Sequence, residues 1–169
     1  MYRLIQTFWG ICLLRKGPGD LPRSALLFVF SVALYALPEM ARHIFIESMS
    51  PRDLMVLIAA ITAAFAFYGL VLTIHGLQAR FLQMATAIMG AGAILSALMF
   101  LAGTIFGETT VQQSAGWFLL GWSILIEGNI IARTLQQNLL VGISLAIVVV
   151  IMQLGIYVMM GPGPGQLSQ

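Results

Sequence analysis

Charge is scarce in this 169-residue chain. Eight Lys or Arg and six Asp or Glu make up 8% of its residues, where soluble domains carry about a quarter. The formal net charge is only +2, and no basic run is interleaved with aromatics. A nucleic-acid footprint is therefore excluded. The single cysteine, Cys12, excludes an intramolecular disulfide and a zinc cluster; it reads as an inert buried thiol rather than a lipidated one. The two histidines, His43 and His75, lie near opposite membrane faces, which argues against paired ligation of haem. No HExxH, GxSxG or P-loop string occurs, and no small-residue cleavage site follows the first apolar stretch. No metal, cofactor or nucleic-acid partner is expected.

Hydrophobic residues, by contrast, form 60% of the chain, and the mean hydropathy is +0.97. A water-soluble fold of this size cannot hide that much apolar surface, so lipid must be the solvent for much of it. Five apolar segments approach the ~20 residues that a bilayer requires: Ala25–Ile46, Leu54–Ile74, Phe81–Phe106, Ala115–Ala132 and Leu139–Met160. The predicted fold is all-α: a five-span transmembrane helix bundle over residues 21–160. It is preceded by an interfacial helix and Gly/Pro linker over 1–20 and followed by a tail over 161–169.

The first stretch, Met1–Leu14, is too short to span. On a helix, Leu4, Ile5, Phe8, Trp9 and Cys12 share one side, with Arg3, Gln6, Thr7 and Gly10 facing away. That pattern predicts a helix in the membrane interface, with Trp9 at headgroup depth. RKGPGDLPRS is a break, with Asp20 available as a cap and Pro22 suited to a first helical turn. Ser50-Pro51-Arg52-Asp53 reads as a helix start with a capping box. The Gly/Pro-rich tail GPGPGQLSQ cannot extend a helix. Placing the N-terminus in the cytoplasm puts Arg3, Arg15, Lys16, Arg23, Arg80 and Arg133 on that side and leaves Arg42 and Arg52 on the other. This obeys the positive-inside rule and sends the C-terminus outside. A fourth segment that was only re-entrant would reverse that last assignment.

Two groups of residues stand out within the spans. Small residues recur four apart: Ala59/Ala63 and Ala60/Ala64 in the second span, then Thr86/Gly90, Ala87/Ala91, Gly92/Ser96 and Ala93/Ala97 in the third. Such faces let backbones approach closely, so the second and third spans are expected to pack on each other; a homodimer seam is the alternative. Polar groups form the second set, because charge at membrane depth is costly. Glu127 lies about 9 Å inside the Arg133 end of its helix, with Ser123 on its face and Asn129 nearly opposite. His75, Arg80 or Gln83 are its expected partners from other helices. Glu39 and Gln153 stand at matching depth in their spans, with Pro38 loosening the first. Gly17-Pro18-Gly19-Asp20 matches the GxGD string of intramembrane aspartyl proteases. That chemistry needs two aspartates sharing a proton, and the only other, Asp53, opens a helix at the opposite side.

LLRKGPGDLPRSALLF, ARFLQMATAIMGAGAI and a tryptophan-containing fourth span ending in Arg resemble a group of small bacterial inner-membrane proteins. The layout of an amphipathic start and five spans also resembles the Yip (Rab-interacting) membrane family. That family's aspartate-leucine-tyrosine-glycine-proline stretch is not reproduced, since Pro22 follows Asp20-Leu21, so no site residue carries over. The function expected from sequence is that of a non-enzymatic accessory, scaffolding or assembly protein, acting through helix contacts with other membrane proteins or with itself. The alternative is a small oligomeric transporter or channel built around Glu127.

Overall fold

A computed structural model describes residues 2–45, 50–107 and 109–160. Of the described residues, 88% are helical. Six α-helices follow in order: α1 Tyr2–Cys12, α2 Ala25–Phe45, α3 Pro51–Ile74, α4 Phe81–Phe106, α5 Thr110–Leu135 and α6 Leu139–Met160. The last four are long and apolar enough to cross a membrane, and α2 adds a shorter apolar stretch, Ala25–Ala41. This is an all-α bundle of an integral membrane protein. The tail, residues 161–169, lies outside the described residues.

Local chemistry sets the helix ends. Ser50 Oγ accepts from Asp53 N at 3.2 Å and Asp53 Oδ2 accepts from Ser50 N at 2.9 Å, closing the expected capping box with Pro51 in the first turn. Asp20 and Pro22 act differently from expectation. The Asp20 carboxylate accepts from Gly17 N at 2.9 Å and caps a short 3₁₀ turn, Pro18–Asp20. Pro22 stays outside α2, whose first turn is capped instead by Ser24 Oγ, accepting from Leu27 N at 3.3 Å. Helix α5 begins earlier than its apolar stretch, at Thr110, because Thr109 Oγ1 accepts from Gln112 N. It continues unbroken to Leu135 and ends where Gln136 turns left-handed at φ 57°.

Helix α4 is the centre of the bundle. Helix α2 packs along it in parallel, matching Arg23 with Gln83, Tyr35 with Gly92 and Glu39 with Ser96. Helix α5 packs antiparallel to α4, with Gly116 against Met99 at one end and Thr134 against Arg80 at the other. Helices α5 and α6 approach closely at two glycines. A Cβ on Gly128 would lie 2.8 Å from Ile143 Cα, and one on Gly142 would overlap the Gly128 carbonyl oxygen. Helix α3 packs on α6, tied at one end by Arg52 Nε donating to the Met160 carbonyl at 2.7 Å.

The expected packing of the second span on the third is therefore corrected. Ala60 and Ala64 are buried, in one stripe with Val56, Tyr68 and Leu72. The main helical partner of α3 is nevertheless α6, and its close approaches to α4 are few. Ala59 and Ala63 are only half-buried. On α4, Thr86, Gly90 and Ala91 are buried, but the groups that fill their face come from α1 and α2. Phe8 occupies the space where a Gly90 side chain would stand, and Tyr35 lies against Gly92. Four-residue spacing marked faces that admit a close neighbour but could not say which neighbour takes them.

Helix α1 also departs from expectation. Its protein-facing side is Thr7, Phe8, Ile11 and Cys12, while Ile5 and Trp9 remain exposed. The expected outward Thr7 is buried, so the amphipathic face is rotated toward the bundle. Phe8 and Cys12 are about 6 Å apart along α1, yet they meet adjacent α4 residues, Gly90 and Ala91. Helix α1 thus crosses α4 instead of running along it. The carbonyl that ends α1 and one just beyond it are taken by α5: Trp122 Nε1 donates to Cys12 O and Arg133 Nη2 to Leu14 O, both at 3.1 Å.

Candidate functional site

A cavity of about 190 Å³ lies between all five long helices. Its walls are mostly apolar: Ile61, Ala64 and Phe65 from α3, Ile88, Met89 and Leu95 from α4, Ile126 and Ile130 from α5. Polar groups enter from four helices: Tyr35 from α2, Tyr68 from α3, Ser123 and Glu127 from α5, and Gln153 from α6. An apolar chamber with a few convergent polar groups is the usual form of a small-molecule site.

Each polar group is delivered by helix periodicity. Ser123 and Glu127 are one turn apart and share a face, with Ile126 and Ile130 beside them. Tyr68 continues the Val56–Ala60–Ala64 stripe of α3, where the two alanines leave space beneath the ring. The Tyr68 hydroxyl is buried, with no hydrogen-bond partner among the described residues. Glu127 is half-buried, and among the described residues no hydrogen bond or ion pair reaches its carboxylate. An acid at this depth without a protein counter-charge is costly unless something else meets it.

The expected partners of Glu127 are not there. His75 is exposed, with its Nδ1 2.8 Å from the Val71 carbonyl. Arg80 Nη1 donates to the Thr134 carbonyl at 3.0 Å. Gln83 donates to the Leu21 carbonyl at 2.7 Å and accepts from Arg23 Nε at 3.2 Å. All three belong to the ends of the helices, and Thr134 is seven residues, about 10 Å, along α5 from Glu127. Glu39 and Gln153, grouped by their matching depth, go to different places. Glu39 accepts from Ser96 Oγ on α4, whereas Gln153 lines the cavity with Glu127. Depth matched, but α2 packs on α4 rather than on α6. Arg133 turns to Asn129, one turn back on its own helix, and its Nε donates to Asn129 Oδ1 at 3.1 Å.

Two functional features escape a reading of charged residues alone. Tyr35 and Tyr68 belong to the cavity, though within an apolar span a tyrosine reads simply as an aromatic. Trp122, Asn129 and Arg133 form an α5 face that holds α1, and their spacing of seven and four was the available signal. Asp20 and Asp53 cap turns at opposite ends of the bundle. Among the described residues no group of three or more His, Cys, Asp or Glu could hold a metal ion. Compared with protein-family models, curated proteins and solved structures, this chain matches none.

Proposed function

We propose that this chain is a non-enzymatic integral membrane protein that binds a small cation or hydrogen-bond donor at Glu127, as a small carrier or channel subunit. One observation carries the reading: Glu127, without a protein counter-charge among the described residues, faces a cavity to which all five long helices contribute. A residue that only glued helices together would meet a partner side chain. The cavity is below the roughly 300–1,000 Å³ of drug-sized sites, which suits an ion or a solute of a few heavy atoms. In this reading the Glu127 carboxylate accepts from the solute, Tyr68 supplies a hydroxyl and Gln153 an amide. The membrane is the bacterial inner membrane, with the end bearing Arg23, Arg80 and Arg133 in the cytoplasm and the C-terminus outside. The six-to-two split of basic residues supports that orientation.

Proteoliposome flux tests this directly, with sodium, potassium, protons and methylammonium as probes. Wild type should carry at least one of them. Glu127→Gln should abolish that flux with an unchanged unfolding midpoint, and Tyr68→Phe should reduce it. Flux retained in Glu127→Gln would refute the assignment.

A second reading, assembly with other membrane proteins, is favoured by the outer half of α5. There Trp117 and Phe118 are 69% and 68% exposed and nothing stands within 4 Å of where a Gly121 side chain would be. A partner protein co-purifying in gentle detergent, lost on Gly121→Leu, would support it over the carrier.

A further inference from the structure

Away from the central cavity, at the end where α4 begins and α5 finishes, a second pocket of about 230 Å³ is lined by Pro18, Gly19, Arg23, Arg80, Gln83, Arg133 and Thr134. Three arginines from three parts of the chain converge there: the linker before α2, the turn before α4 and the last turn of α5. No carboxylate lines the pocket, and among the described residues none forms an ion pair with these guanidinium groups. The sequence is not short of a nearby acid. Asp20 adjoins Gly19, but its carboxylate is turned onto the Gly17 amide.

The arginines are held by neutral acceptors instead. Arg23 Nε donates to Gln83 Oε1, and Gln83 is itself anchored to the Leu21 carbonyl. Arg80 Nη1 donates to Thr134 O, and Gln136, with its amide oxygen turned toward the guanidinium, accepts from Arg80 Nη1 and Nη2 at 3.1 and 2.8 Å. Arg133 donates to Asn129 Oδ1 and Leu14 O. Neutral acceptors fix a guanidinium in place without cancelling its charge. Of the five N–H donors on each arginine, no described hydrogen bond engages either Nη of Arg23 or Nη1 of Arg133. Three like charges around one small pocket repel each other unless an anion joins them. Arginine forks suit a tetrahedral oxyanion, each offering paired donors to its oxygens. Basic pockets between transmembrane helices at the membrane surface are suited to phosphate-bearing head groups.

We propose that Arg23, Arg80 and Arg133 form a phosphate-binding site, filled by the head group of an anionic phospholipid or by a free phosphate. Helix α1 is tied to this site, because Arg133 also holds the Leu14 carbonyl and its side chain packs within 2.7 Å of where a Cβ on Gly17 would stand. Occupancy should therefore steady α1 against α5.

The test uses full-length protein in phosphate-free maltoside detergent, titrated separately with inorganic phosphate and with short-chain phosphatidylglycerol, using a neutral diacylglycerol as control. Wild type should bind at least one phosphate-bearing probe saturably and the control not at all. Competition between the two probes would mark a site open to free phosphate; binding of the lipid alone would mark a head-group site. Arg23→Gln leaves the contacts of α1 untouched, and it should weaken binding about tenfold, the scale of one charge-assisted hydrogen bond. Arg80→Lys, which keeps the charge but loses the fork, should weaken it less. Failure of wild type to bind either probe, or equal affinity in wild type and Arg23→Gln, would overturn the proposal.

Discussion

Adding one methyl group to Gly142 tests the tightest contact in the bundle. A Cβ at this position would overlap the Gly128 carbonyl oxygen and stand 2.8 Å from Ala132 Cβ and 2.9 Å from Ala132 N. Two of those three neighbours are backbone atoms, which cannot rotate away as a side-chain tip can. Helices α5 and α6 would have to separate by about an ångström, enough to forfeit a quarter to a half of each dispersion contact along the seam. Overpacking of this kind costs about 1–3 kcal/mol. Alanine also favours a helix over glycine by roughly 1 kcal/mol, so Gly142→Ala alone would mix two effects. Gly155 provides the reference. It lies in the same helix, with nothing within 4 Å of its would-be Cβ, so Gly155→Ala carries the propensity gain without the clash. The difference between the two variants then isolates packing: Gly142→Ala should be about 1–3 kcal/mol less stable than Gly155→Ala. Unfolding in detergent can be followed through Cys12, whose thiol is buried in the native protein. Equal midpoints for the two variants would refute the glycine seam.

Other outcomes follow from the same contacts. Burial pushes the Cys12 thiol up to about 11, so the thiolate fraction, and with it maleimide labelling, should rise about tenfold per pH unit from 8 to 10. Phe8→Ala, which empties the contact at Gly90, should release α1 and speed labelling at pH 8 at least tenfold; an unchanged rate would mean that α1 is not held there. Reporter fusions after Gln78 and after Gln169 should report opposite sides of the membrane, and same-side signals would contradict five crossings.

The position and length of the long helices depended on composition over ~20-residue windows, a property of the linear chain. Expected and observed limits coincide for Phe81–Phe106 and Leu139–Met160, and the capping box at Ser50 was readable because its partners are three residues apart. Helix α5 was set too short because its first turn is polar and only its cap, Thr109, marks the start. What sequence could not decide is which faces meet. In lipid, no hydrophobic drive separates inside from outside along a span, so apolar periodicity carries little information about neighbours. The seam between α5 and α6 rests on Gly128/Ala132 and Gly142/Ala146, spaced like the alanines of α3, and nothing in the spacing ranks one pair above the other. The depths of Glu39, Gln153 and Glu127 could be counted from the helix ends, but only the lateral order of helices decides which share a chamber. That order puts α2 on α4, α3 on α6 and α1 across α4. It leaves Glu127 facing Tyr68 and Gln153 around a cavity, and gathers three arginines, distant in sequence, around a single pocket.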